Sequence, residues 1–131
     1  MAKLAKFKLS KRSLDRMVGV HPQLVAVVKR AIEITEVDFV VLEGLRTRDR
    51  QVELVAKGAS KTMNSRHITG HAVDLGAWVA GTVRWDWPLY YKLADAMKQA
   101  AKELNVDMEW GGDWRTFKDG PHYQLSRKSH P

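Results

Sequence analysis

An α+β fold, with helices packed on a mainly antiparallel sheet, is what this sequence predicts, and three observations carry that expectation. Several segments place apolar residues at three- and four-residue steps between capping residues, the mark of amphipathic helices. Between and after them lie short runs that are continuously apolar and β-branched, or that alternate, as strands do. Helices precede and punctuate those strands. At 131 residues the chain has the length for one core and is too short for two, so a single domain over 1–131 is expected.

The elements follow in order. A short helix is expected over 11–18, with Ser10 as N-cap, Leu14, Met17 and Val18 on its apolar side, and Gly19 as its stop. Pro22 opens a second helix in which Leu24, Val25, Val27, Val28, Ala31, Ile32 and Ile34 leave little polar circumference, so it should be buried. Residues 38–43, with Phe39-Val40-Val41-Leu42, read as a buried strand. Arg46-Thr47-Arg48-Asp49 leads into a third helix reaching Lys57 and closed by Gly58. A polar surface loop over 59–65 should deliver Arg66 and His67, and 71–79 is strand-like, with Gly81 turning the chain into Val83-Arg84-Trp85. A long helix is expected over 88–104, carrying Leu89, Leu93, Ala96, Met97, Ala100, Ala101 and Leu104 and ending at Asn105. A strand over 106–110, a loop over 111–120 and a last strand over 122–125 complete the chain.

Charge and composition narrow the function classes. The net charge of +7 resides at the ends: residues 1–16 hold six Lys/Arg against Asp15, the tail adds Arg127 and Lys128, and the middle is balanced. Basic, flexible ends at about 1–9 and 126–131 suit attraction to an anionic polymer, or simple solvation, without defining a site. Without cysteine, disulfides are excluded and any metal must be held by His, Asp or Glu. No apolar stretch approaches the roughly 20 residues of a membrane span, and Met1-Ala2-Lys3-Leu4-Ala5-Lys6 lacks a secretory apolar run, so a soluble cytoplasmic product is expected.

Chemistry concentrates in Ser65-Arg66-His67-Ile68-Thr69-Gly70-His71-Ala72-Val73-Asp74 and in Asp119-Gly120-Pro121-His122. Gly70 and the strand-like residues after it favour a loop entering a strand, in which Ala72 and Asp74 share one face and His71, Val73 and Leu75 the other. Asp74 then points at a metal held by His67 at the strand's mouth, while His71 is turned away. In the last strand His122 and Gln124 face one way, so His122 can complete the site. Two imidazoles and a carboxylate make a three-ligand zinc site with a fourth position for water, and Asp119, three residues before His122, is placed as a base. That combination points to amide hydrolysis. Taken singly, each His or Asp here has an ordinary structural reading as a surface, core or turn residue.

With those residues in view, roughly 22–125 resembles the zinc D,D- and L,D-peptidases of peptidoglycan, especially small phage endolysins that act as L-alanyl-D-glutamate endopeptidases. The resemblance implies a hedgehog/D,D-peptidase-like fold and one Zn²⁺ per chain held by His67, Asp74 and His122, with Asp119 as the catalytic carboxylate. Arg46, in Glu43-Gly44-Leu45-Arg46-Thr47, is similar to the family arginine that binds substrate or polarises the scissile carbonyl, with Gln51 at the usual distance; a surface ion pair with Glu43 or Asp49 is its structural alternative. Ser65 and Arg66 are expected to bond the metal ligands or a substrate carboxylate. In Trp110-Gly111-Gly112-Asp113-Trp114, Asp113 orders the loop and indoles such as Trp114 line a groove. Trp78, Trp85 and Trp87 suit the core or a glycan-facing platform equally, and His130 lies in the tail. Implied as well are peptidoglycan as substrate, anionic envelope polymers as possible contacts, no stable nucleic acid, a monomer, and residence in the host cytoplasm until the membrane is permeabilised. Two alternatives stay open: a D-alanyl-D-alanine carboxypeptidase or dipeptidase using the same residues, and a non-enzymatic basic wall- or nucleic-acid-binding module.

Overall fold

Residues 5–60, 63 and 65–131 are described by the computed structural model, so parts of the expected loop over 59–65 and of the basic N-terminal end lie outside the described residues. Ser10 caps α1 (Lys11–Arg16) by accepting from the Ser13 N–H, and Pro22 sits in the first turn of α2 (Pro22–Ile34). Strand β1 (Phe39–Glu43) and helix α3 (Arg48–Ala56) follow, then β2 (Ala72–Val79), β3 (Thr82–Arg84), α4 (Trp87–Glu103), β4 (Met108–Trp110) and β5 (His122–Leu125). Every strand pairing is antiparallel; the order is β1-β2-β5-β4, with β3 against β2. The last strand thus enters between β2 and β4, which brings residue 122 beside residue 74.

Alternation divides the sheet into two faces with different tasks. Phe39, Val41, Val73, Leu75, Ala77, Tyr123 and Leu125 are buried on one face. They join Leu24, Val27, Val28, Leu93, Met97 and Ala100 of α2 and α4 in one core. Each such aliphatic side chain, fully removed from water, contributes about 1.5–3 kcal/mol. The opposite face carries Glu43, Asp74 and His122 as cross-strand neighbours, with Ala72, Gln124 and Glu109 in the adjoining row. Among the described residues no helix is long and apolar enough to cross a membrane.

Some expectations shift, each for a local reason. Helix α1 ends at Arg16 rather than Val18, and it buries Ser13 and Met17 while Leu14 and Val18 are exposed. The rotation serves β1, an edge strand: Ser13 Oγ accepts from the Val41 N–H at 2.9 Å and Arg16 Nη1 donates to the Val41 carbonyl at 2.9 Å. Satisfying an edge that would otherwise pair with another chain outweighs the burial of one leucine. Strand β4 begins at Met108 rather than residue 106, because the Val106 N–H still closes the end of α4 on the Ala101 carbonyl at 2.8 Å around the left-handed Asn105. Described residues of both ends make contacts of their own. Phe7 and Leu9 pack against the core. In the tail, Ser126 N–H bonds the Asp107 carbonyl, His130 N–H bonds the Ser126 carbonyl, and Arg66 Nη2 bonds the His130 carbonyl.

Candidate metal centre

His67 reaches the sheet from a tight turn whose shape depends on Gly70. That residue has φ +76°, and a Cβ on it would lie 2.4 Å from the Gly19 carbonyl oxygen, so only glycine lets the turn settle on the link between α1 and α2. The His21 N–H donates to the Gly70 carbonyl at 2.8 Å, and Arg46 N–H donates to the His67 carbonyl at 2.9 Å. Ser65 Oγ accepts from the His67 N–H at 3.2 Å, so this serine caps the turn.

Three atoms converge from this turn, β2 and β5: His67 Nε2, Asp74 Oδ1 and His122 Nδ1, each nitrogen 3.1 Å from the carboxylate oxygen. The remote nitrogens decide what these atoms are. His67 Nδ1 lies 2.9 Å from the Gly44 carbonyl, an acceptor only, so the ring proton sits on Nδ1 and Nε2 presents a lone pair. His122 Nε2 lies 2.8 Å from Gln124 Oε1, whose orientation is fixed because Gln124 Nε2 donates to Glu109 at 3.1 Å. His122 Nδ1 therefore also presents a lone pair. Two imidazole lone pairs and a carboxylate aimed at one point repel unless a cation stands among them. The three donors lie within 4.8 Å of one another, and the set fits zinc, whose histidine ligands are held by hydrogen bonds at their other nitrogen.

Without a metal a proton takes the cation's role. Burial pushes His122 down, but the hydrogen bond and charge of Asp74 outweigh it and hold this imidazole above its usual value. Burial likewise opposes ionisation of Asp74, yet hydrogen bonds from His122 and His67 carry its carboxyl far below the ordinary range. Gln124→Leu, which leaves the His122 Nε2–H unsatisfied, is expected to weaken zinc affinity by about 10- to 100-fold, read by titration against a chromophoric chelator.

Asp119 is held beside this group by a second close approach. Its N–H donates to the Gly111 carbonyl at 3.0 Å, and a Cβ on Gly111 would come within 2.4 Å of the Asp119 carbonyl oxygen. Burial raises the Asp119 carboxyl above its ordinary value and the charge of Asp74 adds to it, against the pull of His122, His67 and Arg46. Arg46 reaches the same field but is firmly held: Nε and Nη2 donate to the two Glu43 oxygens at 2.5 and 2.8 Å, and Nη1 donates to Gln51 at 2.7 Å. The ion pair with Glu43 thus exists, but the arginine side chain in it is only 9% exposed rather than on the surface.

The remaining candidates take different places. Gln51 is fully buried and bonds Arg46 and Ser60, so it orients the arginine. Arg66 is buried, with its guanidinium bonded to the Leu125 and His130 carbonyls, away from the convergent acceptors. The Trp114 ring lies 5.1 Å from that of His122. His71 is turned aside, stacked on His21 and bonded to Thr69. Trp78, Trp85 and Trp87 are exposed, whereas Trp110 is buried and donates from Nε1 to the Gly120 carbonyl at 2.7 Å. Asp113 bridges to Lys98 at 2.8 Å, tying the loop to α4. Gln124 and Glu109 were not singled out in the sequence; Gln124's shared face with His122 was the available signal, while Glu109 requires the β4–β5 register.

The family model described as phage L-alanyl-D-glutamate peptidase matches residues 5–128. The chain belongs to that family. Within it, the chain is similar to the L-alanyl-D-glutamate peptidase of Escherichia phage T5, 33% identical over 128 residues that cover 95% of this chain and 93% of that protein. It is 30% identical to the peptidoglycan L-alanyl-D-glutamate endopeptidase CwlK of Bacillus subtilis (strain 168) over 111 residues, 75% of this chain and 66% of that one. Among solved structures, the L-Ala D-Glu endopeptidase ChiX of Serratia marcescens is similar at 47% identity with a TM-score of 0.91, covering 96% of this chain and 95% of that chain. This family member therefore shares its fold with a solved endopeptidase across almost the whole chain.

Proposed function

We propose that this protein is a zinc peptidase that hydrolyses the L-alanyl–D-glutamate bond of peptidoglycan and serves a phage as an endolysin. The observation that carries the reading is the convergence of His67 Nε2, Asp74 Oδ1 and His122 Nδ1, with the other nitrogen of each imidazole already hydrogen-bonded, next to a carboxylate outside the ligand set. A zinc ion held by His67, Asp74 and His122 would supply Lewis acidity toward water and the scissile carbonyl.

The chain's own residues do the rest. Asp119 takes the proton from the attacking water on its carboxylate and delivers it to the amide nitrogen as the carbon–nitrogen bond breaks, leaving an L-alanyl carboxylate and a D-glutamyl amine. Arg46, held by Glu43 and Gln51, offers its remaining N–H groups to the carbonyl oxygen as negative charge gathers there. Trp114 covers the His122 ring and lines the approach. Ser65 and Arg66 fix the turn that carries His67, Arg66 by tying it to the C-terminal tail. All the metal-binding atoms come from one chain, which suits a monomer. Release from the host cytoplasm after membrane permeabilisation, with the basic ends dwelling on anionic envelope polymers, completes the proposed course.

Digestion of purified sacculi with product identification tests this. New D-glutamyl amino termini are the expected result. Released D-alanine instead assigns a carboxypeptidase, and binding without cleavage assigns a wall-binding module.

A further inference from the structure

Three histidines outside the metal centre gather around the turn that carries His67, and the proposed hydrolysis uses none of them. His21, the N-cap of α2, stacks on His71 with ring centroids 5.7 Å apart. The His130 ring meets that of His21 edge-on at 5.1 Å and lies 6.4 Å from that of His71. Since His130 belongs to the tail, this cluster closes the end of the chain onto α2 and the turn. Backbone bonds tie the same residues to it: His21 N–H holds the Gly70 carbonyl, His71 N–H holds the Arg66 carbonyl at 2.9 Å, and the His130 carbonyl accepts from Arg66 Nη2. Arg66 immediately precedes the ligand His67.

The side-chain bonds suit neutral rings. Gln23 N–H donates to His21 Nδ1 at 3.1 Å, which requires a lone pair there, so protonating His21 costs α2 its cap. Thr69 Oγ1 gives its proton to the Arg66 carbonyl and accepts from His71 Nδ1 at 2.6 Å, while His130 Nε2 donates to Gln23 Oε1 at 2.6 Å. The groups that act on His71 are Arg66, His21, His130 and Arg127, each a cation when protonated, and Glu109 of β4 acts on Arg66. Burial first, then those charges, holds His71 below its ordinary value.

Resting on the endopeptidase reading above, we propose that residues 126–131 form a latch that positions the His67 turn, and that the His21–His71–His130 cluster releases it in acid. Protonation puts like charge on adjacent rings beside two guanidinium groups, so the docked tail holds fewer protons than the released one. Docking is therefore complete above the ordinary histidine value, about 6.5, and is lost as pH falls below it. Release takes the His130 carbonyl from Arg66 and slackens the turn, lowering turnover without removing a ligand.

Hydrogen exchange in the full-length, zinc-saturated protein, corrected for the intrinsic pH dependence of exchange, reads the latch directly. Protection of the Lys128 and His130 amides should fall about tenfold between about pH 7.5 and about pH 5.5. His71→Asn combined with His130→Gln keeps a donor at each bonded ring nitrogen and cannot take up a proton, so its tail should stay protected and the acid limb of its kcat should lie at lower pH than in the wild type. His130→Ala should lack protection at both pH values and show at neutral pH the lowered kcat that acid brings to the wild type. Protection independent of pH in the wild type, or an equal loss in the double variant, overturns the latch. Opening of the tail with the same kcat profile in all three proteins overturns its positioning role. Opening in acid of a protein that cuts no peptidoglycan supports the release and overturns the endopeptidase reading alone.

Discussion

Asp119→Asn is expected to lower turnover on peptidoglycan by about 10²- to 10⁴-fold while zinc still binds. Asparagine keeps the size of the side chain and cannot accept the proton of the attacking water. The loop stays in place because its anchors are backbone: Asp119 N–H to the Gly111 carbonyl, and His122 N–H to the Asp119 carbonyl at 3.2 Å. A second outcome separates a catalytic carboxylate from a structural one. Burial, then the charge of Asp74, raises the Asp119 carboxyl above its unfolded value, so the native state of the metal-free protein holds more protons in the window between the two values. Its ionisation therefore costs stability as pH rises through that window. The metal-free Asp119→Asn protein should melt above the wild type at neutral pH, with the advantage vanishing at acid pH. Wild-type turnover in this variant, or loss of its zinc, would remove Asp119 from the role of base.

How far the sequence discloses this site depends on whether the determinants are local. Helices α2 and α4 are legible because their apolar spacing and Pro caps are read within one segment, and alternation alone separates Asp74 and His122 from the core-facing residues of their strands. Strand order is a different matter. The insertion of β5 between β2 and β4 joins residues 48 positions apart, and no local pattern encodes that pairing. Glu109 behind Gln124 follows from it and is equally invisible. Arg66 shows a third limit: its neighbours suggest a group aimed at substrate, but its guanidinium binds carbonyls of a tail that composition marks as solvated. Helix α1 is misread in its face, since hydropathy favours Leu14 and Val18 and only the exposed edge of β1 explains why Ser13 is turned inward.

Replacing Asp74 with alanine should abolish both metal binding and activity, with zinc affinity falling by more than the about 100-fold that marks loss of an outer hydrogen-bonding partner. Asp74 is the one negative charge among the convergent acceptors, and its Oδ1 is the atom that both imidazole nitrogens approach. Wild-type protein treated with a chelator should lose activity and regain it with zinc, whereas Asp74→Ala should stay inactive at the same zinc concentration. Melting curves give a readout independent of catalysis. Zinc at about 100 times its dissociation constant stabilises a native site by about 2.7 kcal/mol, so the wild type should melt higher with zinc and Asp74→Ala should not respond. The wild-type response has a defined pH sign. Because Asp74 holds the His122 imidazole above its usual value, against its burial, protons compete with zinc as pH falls through that raised value, and the zinc-dependent rise in melting temperature should fade on the acid side. Equal digestion of sacculi with and without chelator, or a zinc response retained by Asp74→Ala, would show that hydrolysis does not pass through these three side chains.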